Sequence, residues 1–474
     1  MVEALNILFN KVTGTQPQSV VKLTGDGSNR AYYRMSGDGC SFIGAVGTSV
    51  KENRAFITFA RKFRECGIDA PQVVAVSNDE LCYLQQDLGD LSLFARMKNS
   101  RESGKFSQQD IEALCNVMSC LPHIQHRVAR GLDFSVCYPV AEFDHRAVMW
   151  DLNYFKYCFL KGVGVEFDER LLEDEFEKLA LILLAEDAET FLYRDFQSRN
   201  IMWHDERPWF IDFQGARKGP IYYDVASFVG QARAKYTPEA IECMLDAYLK
   251  SLAEYRTINR EEFTSKLRCF RIFRLLQNLG TYGYRGIFER KKKFVESIPA
   301  ALLQLQGLLG EAREAFPVLW AIIEDVAHLP RFAPQEKCGL TVDVFSFSYH
   351  RGIPEDYSGN GGGFVFDCRA LHNPGRYEPY KKLTGMDAEV IKFLEENSTA
   401  AAFLANAYSL VDEMVEKYIE RGFSHIQLSF GCTGGQHRSV YCAENMARHV
   451  WQKFGVKVNV NHIMQNKQYT LSAQ

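Results

Sequence analysis

The feature that most constrains the fold of this chain is residues 191–216, FLYRDFQSRNIMWHDERPWFIDFQGA. Asp195 is followed five residues later by Asn200, and Asp212 lies twelve residues beyond that, at the end of an apolar segment. NIMWH and PWFIDFQ are typical of strands, and a hairpin between them would bring Asn200 and Asp212 to one edge. Phosphoryl transfer needs a carboxylate beside the attacking hydroxyl, and an amide and a second carboxylate for magnesium. We therefore predict that Asp195 is catalytic and that Asn200 and Asp212 are metal ligands.

The segments on both sides of this hairpin predict two lobes. Residues 1–90 alternate short apolar runs with turn signals, which indicates an antiparallel sheet. One inserted helix is expected to end at Gly67. Residues 91–330 have mainly helical spacing, and the periodicity predicts one helix that continues through residues 176–193.

The hairpin region resembles the catalytic loop and metal-binding segment of the aminoglycoside phosphotransferase and choline kinase superfamily. That pattern is His-x-Asp-x-x-x-x-Asn followed by Ile-Asp-Phe or Ile-Asp-Trp, and here Tyr193 stands in place of the histidine. The resemblance spans roughly residues 20–310. It implies a bilobal α+β fold like that of protein kinases, with ATP as phosphoryl donor and Mg²⁺ as cofactor.

Three further stretches narrow this resemblance. DFQSRN, GPIYYDVASF and RLLQNLGTYGYRGIFERKKKF look most like the branch that phosphorylates cell-wall amino sugars at the anomeric hydroxyl. The resemblance thus implies a sugar substrate such as N-acetylmuramate or N-acetylglucosamine.

GDGSNR, residues 25–30, follows a strand-like segment. Its glycines would let backbone N–H groups approach the phosphates of ATP, and a plain hairpin turn is the alternative interpretation. The predicted nucleotide-binding residues are Gly25, Gly27, Ser28, Asn29 and Arg30.

The third-strand lysine of many kinases is missing from SFIGAVG. Arg30 and Lys51 are the nearby cations, and Glu52 is either their paired acid or a solvated residue at a helix start. The departure leaves a second hypothesis open, in which a degenerate kinase acts as a ligand- or RNA-binding regulator.

Residues 328–339, HLPRFAPQEKCG, contain two prolines and predict a domain boundary. Strands and helices alternate over residues 338–474. This order predicts a separate α/β domain with a partly parallel sheet.

A second polar loop lies in that domain, in FGCTGGQHRSVYCAE, residues 430–444. A strand followed by glycines and a helix start predicts a phosphate nest of backbone N–H groups. Arg438 would add a bidentate guanidinium contact to the phosphate. Cys432 and Arg438 also fit the Cys-x-x-Gly-x-x-Arg-Ser spacing of cysteine phosphatases, which remains an alternative.

The domain also resembles the C-terminal domain of RapZ-type RNase adaptor proteins. SFSYHRGIP, FVFDCRALHNP, TGMD and GCTGGQHRSVYCAE follow one another in the family's order. The resemblance implies binding of an amino-sugar phosphate such as glucosamine-6-phosphate and, in some members, of a regulatory RNA. The residues it assigns to the ligand are Ser346, Asp367, Arg369, Asn373, Cys432, Thr433, Gly434, Gly435, His437 and Arg438. His350 and Arg351 stand where the family often has lysine followed by histidine or tyrosine.

Charge and cysteine usage limit the partners. The formal net charge is -4, and residues 338–474 hold 13 Lys and Arg against 14 Asp and Glu, so no overall basic field predicts nucleic acid or membrane. RNA stays an open alternative. The 13 cysteines contain no Cys-x-x-Cys pair, which favours reduced thiols and a cytoplasmic protein. No apolar run reaches the length of a membrane helix.

Overall fold

The computed structural model describes residues 2–23, 30–329, 332, 339–356 and 362–472 of the 474-residue chain. The chain divides into two compact units, Met1–His328 and Leu329–Gln474. Each unit is described by itself below.

The first unit begins with a five-stranded antiparallel sheet of order β1-β2-β3-β5-β4. Its strands are β1 Ser19–Leu23, β2 Ala31–Gly37, β3 Cys40–Val46, β4 Val73–Val76 and β5 Cys82–Gln86. Two helices accompany the sheet, α1 Val2–Thr13 and α2 Val50–Glu65.

The sequence predicted one helix in this lobe, and the structure has two, so the prediction missed α1. Leu5, Leu8 and Phe9 recur at helical spacing in α1 and are buried in one cluster with sheet residues. The other helix, α2, starts at Ser49, whose side chain accepts the backbone N–H of Glu52. That N-cap fixes Glu52 in the first turn of α2.

The rest of the first unit is mainly helical. Its helices are α3 Leu93–Arg96, α4 Lys98–Ser103, α5 Gln108–His123, α6 His145–Phe155, α7 Lys161–Val163, α8 Glu169–Leu184, α9 Tyr222–Val229, α10 Pro238–Leu252, α11 Arg260–Tyr282, α12 Lys292–Val295, α13 Ile298–Gly310 and α14 Pro317–Ala327. The long helix α11 packs against α6, α9 and α13.

Two strand pairs interrupt the helices. They are β6 Thr190–Leu192 with β9 Arg217–Gly219, and β7 Ile201–His204 with β8 Arg207–Phe210. The helix predicted through residues 176–193 ends at Leu184, which corrects the prediction. Thr190 is buried and its Oγ1 donates to the carbonyl of Gly219 at 2.7 Å, so pairing with β9 outweighs helical periodicity here.

The second unit has a five-stranded sheet of order β11-β12-β10-β13-β14. The strands are β10 Thr341–Ser348, β11 Gly363–Asp367, β12 His425–Cys432, β13 Lys457–His462 and β14 Lys467–Leu471. The first four are parallel and β14 is antiparallel, so the predicted partly parallel sheet is confirmed. The helices are α15 Ala388–Asn397, α16 Ala400–Glu420 and α17 Arg438–Phe454. Parallel strands end at a common edge, where ligands bind in such sheets.

Two global features bear on the setting of the protein. In the described ranges, no helix is both long and apolar enough to span a bilayer. Every cysteine that the structure describes is a free thiol.

Candidate functional sites

The hairpin β7–β8 sets the three predicted kinase residues close together. Ile201 pairs with Phe210, and the N–H of Ile211 donates to the carbonyl of Asn200 at 3.0 Å. The Nδ2 of Asn200 donates to the backbone carbonyl of Asp195 at 2.9 Å. Asn200 therefore connects the loop that carries Asp195 with the strand that leads into Asp212.

A buried carboxylate holds the loop before Asp195. Asp224, in α9, accepts the backbone N–H groups of Tyr193 at 2.7 Å and Arg194 at 2.9 Å. Arg194 has φ of +76°, which L residues rarely adopt, so these two hydrogen bonds stabilise an unfavourable backbone conformation. Burial raises the pKa of Asp224 to about 7, and the two N–H groups act in the opposite direction.

Sequence reasoning gave Asp224 no role. A usable signal was present, because Asp224 is the one carboxylic acid in the apolar helix YYDVASFV. A carboxylate in a fully buried helix needs partners, and loop N–H groups are suitable donors.

Tyr193 stands where the related pattern has histidine. Its ring is buried among Phe63, Phe196 and Phe213, at centroid distances of 5.4–6.2 Å. Its hydroxyl donates to the carbonyl of Ile211 at 2.5 Å. Tyr193 thus links the loop that carries Asp195 to the residue before Asp212.

Asp212 occupies a second unusual backbone position, with φ of +67°. Its Oδ1 accepts Nε2 of Gln214 at 2.8 Å. Burial and the neighbouring Asp195 carboxylate raise the pKa of Asp212, and Arg30 acts in the opposite direction. Asp195, Asp212 and Arg30 therefore share one electrostatic environment.

Arg30 is the one predicted nucleotide-binding residue within the described residues, since Gly25, Gly27, Ser28 and Asn29 lie outside them. Ala31 pairs with Val46, so Arg30 comes beside the end of SFIGAVG, the segment that lacks the lysine. Arg30 is buried, and its Nη2 lies 3.6 Å from the carboxylate of Glu52. Lys51, the other cation considered, is exposed.

The donor set suits a hard cation. Across the described residues, no cluster of three or more His, Cys, Asp or Glu side chains could hold a metal by itself. Asn200 and Asp212 offer amide and carboxylate oxygens, which Mg²⁺ accepts when nucleotide phosphates complete its shell. The residues therefore fit a metal shared with a nucleotide.

In the second unit, β12 leads directly into the predicted nest. Thr433 and Gly434 are exposed between the end of β12 and the start of α17. Gly435 has φ of +68°, and a Cβ there would lie 2.5 Å from Met464 and 2.9 Å from the backbone nitrogen of Ser348. The close approach of the loop to the end of β10 thus requires glycine at this position.

Cys432 faces inward from this loop and is only 3% exposed. Its Sγ accepts the N–H of Gly435 at 3.2 Å and lies 3.2 Å from the hydroxyl of Ser439. The sulfur therefore organises the loop from within.

Arg438 also points inward. It is 5% exposed, and its Nη1 donates to the carbonyls of Arg369 at 2.9 Å and Leu371 at 3.1 Å. His437 is placed similarly, with Nε2 2.8 Å from the carbonyl of Tyr380. The sequence predicted that the Arg438 guanidinium binds a phosphate. In the structure, its Nη1 instead donates to carbonyls of the segment that follows β11.

The remaining predicted residues surround the strand ends. Ser348 pairs with Cys432 and Asp367 with Gly431, which brings β10, β11 and β12 together at their carboxyl ends. Arg369 binds Asp367 through Nε at 3.0 Å and Nη2 at 2.7 Å, and its hydrogen bonds lower the pKa of Asp367.

Four other predicted ligand residues lie in turns or in the sheet interior. His350 and Arg351 are exposed in the turn after β10. The Asn373 side chain accepts the N–H of Gly375 at 3.1 Å. Ser346 is buried, and its hydroxyl lies 2.8 Å from Nδ1 of His462.

His462 extends that contact into a buried network that the sequence did not reveal. Its Nε2 lies 2.9 Å from Glu444, in α17. Ser346 therefore belongs to a network that joins β10, β13 and α17, whereas Thr433 and Gly434 form the exposed loop.

Two family models match the chain. The phosphotransferase enzyme family matches residues 19–259, and the RapZ C-terminal domain matches residues 340–466.

Curated relatives share a limited part of their length with this chain. A nucleotide-binding protein of Nitrosomonas eutropha is 40% identical over 131 residues, which are 27% of this chain and 43% of that protein. A nucleotide-binding protein of Xylella fastidiosa is 38% identical over 175 residues, which are 35% of this chain and 58% of that protein. The chain thus spans less than two thirds of either relative.

Solved structures of kinases are also similar. Choline kinase from Cryptosporidium parvum has a TM-score of 0.43 at 11% identity, over 63% of this chain and 93% of its own. Choline kinase from Streptococcus pneumoniae has a TM-score of 0.42 at 12% identity, over 64% of this chain and 99% of its own.

Proposed function

Because the chain belongs to the phosphotransferase enzyme family and carries a RapZ C-terminal domain, we propose that it is an amino-sugar kinase joined to a sensor of an amino-sugar phosphate. The first unit would use ATP and Mg²⁺ to phosphorylate a sugar hydroxyl, with N-acetylmuramate and N-acetylglucosamine as the first candidates. The second unit would bind glucosamine-6-phosphate. The observation that carries the kinase proposal is the loop in which Asn200 joins Asp195 to the Asp212 strand.

Asp195 is suited to receive the acceptor hydroxyl. Among the described residues, its carboxylate accepts no hydrogen bond, so its oxygens are available to a substrate. The Asp224 hydrogen bonds fix the backbone just before Asp195, which orients the carboxylate without touching the substrate. Asp195 would align the hydroxyl and accept its proton as phosphorus is attacked.

Asn200 and Asp212 would hold the metal. The amide nitrogen of Asn200 is used by the Asp195 carbonyl, which directs its Oδ1 away from that bond. Bound Mg²⁺ supplies neutralisation of the phosphate charge. Asp212 must be ionised to serve as a ligand, so the burial that raises its pKa also makes it dependent on a bound cation.

The ion pair of Arg30 and Glu52 supports an active rather than a degenerate kinase. An arginine beside the end of β3, paired with an acid in the first turn of α2, supplies the cation that the missing lysine would have supplied. A guanidinium binds phosphate oxygens in a bidentate manner. Arg30 would therefore neutralise nucleotide phosphates.

A coupled assay of ATP consumption over a panel of free sugars tests the proposal, with the phosphorylated position read by NMR. Magnesium-dependent product from an amino sugar is the expected result. Absence of turnover on every sugar, with glucosamine-6-phosphate still bound, would favour a degenerate kinase that acts as a regulator.

The ligand proposal for the second unit rests on the loop between β12 and α17. Backbone N–H groups at the start of a long helix attract a phosphate. Arg438 and His437 secure the surrounding segments through carbonyl contacts, so they would shape the site. Regulatory RNA remains a further candidate partner, and the free cysteines suit a reducing compartment such as the cytoplasm.

A cysteine phosphatase is the second candidate for this unit. The contacts of Cys432 with the N–H of Gly435 and the hydroxyl of Ser439 favour it, because such contacts stabilise a thiolate. Its burial and the inward direction of Arg438 oppose it. Hydrolysis of p-nitrophenyl phosphate that is abolished in Cys432→Ser would establish this activity.

A further inference from the structure

Arg194 and Arg217 both interact electrostatically with Asp195, and a third buried arginine, Arg274 in α11, shares their neighbour Asp151. Arg217 begins β9 and pairs with Leu192, three residues before Asp195. A Cβ placed on Gly215 would lie 3.2 Å from Nη1 of Arg194 and 4.0 Å from Oδ2 of Asp195. Arg194 and Asp195 therefore both lie against Gly215.

The third arginine, Arg274, is buried, and both of its terminal nitrogens donate to neutral groups. Its Nη1 donates to the hydroxyl of Tyr223 at 2.7 Å and to Gln277, and its Nη2 donates to Ser227 at 2.9 Å. In the described part of the chain, the guanidinium groups of Arg194, Arg217 and Arg274 all lie more than 4.0 Å from any carboxylate oxygen. These three cations therefore have no ion-pair partner there.

Arg217 has the least compensation. It is only 7% exposed, and its Nε has no hydrogen-bond partner in the described residues. Burial and the neighbouring Arg194 lower its pKa. A buried guanidinium beside another cation is costly unless an anion arrives to pair with it.

The nearby acid Asp151 compensates Arg217 only in part, since the pKa of Arg217 stays lowered by burial. Its carboxylate accepts Nε2 of Gln277 at 2.6 Å. Burial raises the pKa of Asp151, and Arg194, Arg274 and Arg217 act in the opposite direction. Despite burial, the Asp195 carboxylate raises the pKa of Arg194, whereas the pKa of Arg217 stays lowered. Arg217 is therefore the cation with the least compensating negative charge.

We propose that the acceptor carries an anionic group, a carboxylate or a phosphate, and that Arg217 binds it while the acceptor hydroxyl faces Asp195. Arg194, which interacts with Asp195, would assist. The inference rests on the proposed kinase function and specifies its substrate class. Arg217 would repel a cationic acceptor, and a neutral sugar would leave Arg217 unpaired.

A matched set of acceptors tests this on the full-length chain. N-acetylmuramate differs from N-acetylglucosamine by a lactyl ether that bears a carboxylate. We expect kcat/KM to be at least about tenfold higher for N-acetylmuramate, since a charge-assisted hydrogen bond is worth that much or more. N-acetylglucosamine-6-phosphate distinguishes phosphate from carboxylate, and choline supplies a cation that should not react. The assay measures product formation, so binding of a sugar phosphate by the second unit does not contribute to the signal.

Arg217→Gln should remove the preference. It should raise KM for the anionic acceptor about tenfold or more and change kcat/KM for N-acetylglucosamine less than about twofold. Its melting temperature should not fall, because an uncompensated buried charge is removed. Arg170→Gln, an exposed arginine of α8, is the matched control and should change none of these quantities.

Equal kcat/KM for the two sugars, or an equal loss for both in Arg217→Gln, would overturn the inference and leave the kinase proposal standing. If no acceptor is phosphorylated, the kinase proposal fails, and binding then decides the inference. With a magnesium complex of a non-hydrolysable ATP analogue present, N-acetylmuramate should raise the melting temperature of the wild type more than N-acetylglucosamine does. An equal effect of the two sugars would count against it.

Discussion

The guanidinium of Arg30 lies 3.6 Å from the carboxylate of Glu52, and both belong to the sheet-containing lobe. Arg30 precedes β2 and Glu52 lies in the first turn of α2, so the pair spans 22 residues of sequence. It occupies the neighbourhood in which the lysine of SFIGAVG was expected and is absent.

Glu52→Gln tests the function of this pair. Removal of the acid should leave the fold intact and raise KM for ATP about tenfold, because Arg30 loses the charge that directs it. Steady-state kinetics with varied ATP measure this. Lys51→Gln changes the exposed neighbour and is the control. Unchanged KM for ATP in Glu52→Gln would argue that the pair is structural only.

Asp195→Asn should remove turnover without unfolding the protein. The amide cannot accept the proton of the acceptor hydroxyl, and the loss in kcat should be on the order of 10²–10⁴. The backbone carbonyl that binds Asn200 is retained, so circular dichroism and melting temperature should match the wild type. A folded variant with near-normal turnover would remove Asp195 from the catalytic role.

Asp212→Ala should separate metal binding from nucleotide binding. Affinity for ATP in the presence of magnesium should fall, whereas affinity for metal-free ATP should largely remain, because the carboxylate would bind the ion and not the base. Titration calorimetry with magnesium and with a chelator gives the two values. Equal losses under both conditions would contradict metal ligation.

The pKa of Asp224 makes stability depend on pH in a specific direction. Since its pKa is about 7 in the folded chain and ordinarily 3.8, the folded chain keeps a proton that the unfolded chain loses over this interval. This contribution to the free energy of unfolding is greatest below about pH 4 and is lost as pH rises to about 7. Other carboxylates contribute as well, so the quantity to measure is wild type minus Asp224→Asn.

Calorimetric melting of the full chain across that pH range supplies the difference. The free energy of unfolding of the wild type should decline relative to Asp224→Asn as pH rises. Asp224→Asn should also lower kcat, because one of the two N–H groups that Asp224 binds then faces an amide donor. A pH-independent difference would show that Asp224 is ionised throughout.

Arg438→Ala and Cys432→Ser test the loop of the second unit in opposite ways. Arg438→Ala leaves the carbonyls of Arg369 and Leu371 without their donor, so affinity for glucosamine-6-phosphate should fall by about 1.5–3 kcal/mol. Cys432→Ser keeps a small polar side chain toward Gly435 and Ser439, and binding should be retained. Calorimetry with the full chain measures both, and unphosphorylated glucosamine is the control ligand. Equal affinity for glucosamine would contradict the phosphate nest.

The local sequence determined much of the secondary structure of this protein. The spacing of Asp195, Asn200 and Asp212 predicted the hairpin, because alternating strands and their turn follow from short-range preferences. The alternation of strands and helices after residue 338 predicted a partly parallel sheet, and the structure confirms it. The sequence also predicted the strand, the glycine loop and the helix start around residues 430–444.

Tertiary packing decided the rest. Helical periodicity extended through Thr190, yet pairing with β9 made it a strand, and α1 was missed because its apolar face has a partner only in the folded sheet. Three further features depend on proximity in the folded chain. They are the hydrogen bonds from the Tyr193 and Arg194 backbone to Asp224, the Arg30–Glu52 pair, and Arg217 without an ion-pair partner in the described residues. Sequence fixes which charges exist, but burial and distance set their pairing, because the strength of an electrostatic interaction depends on both and neither follows from local order along the chain.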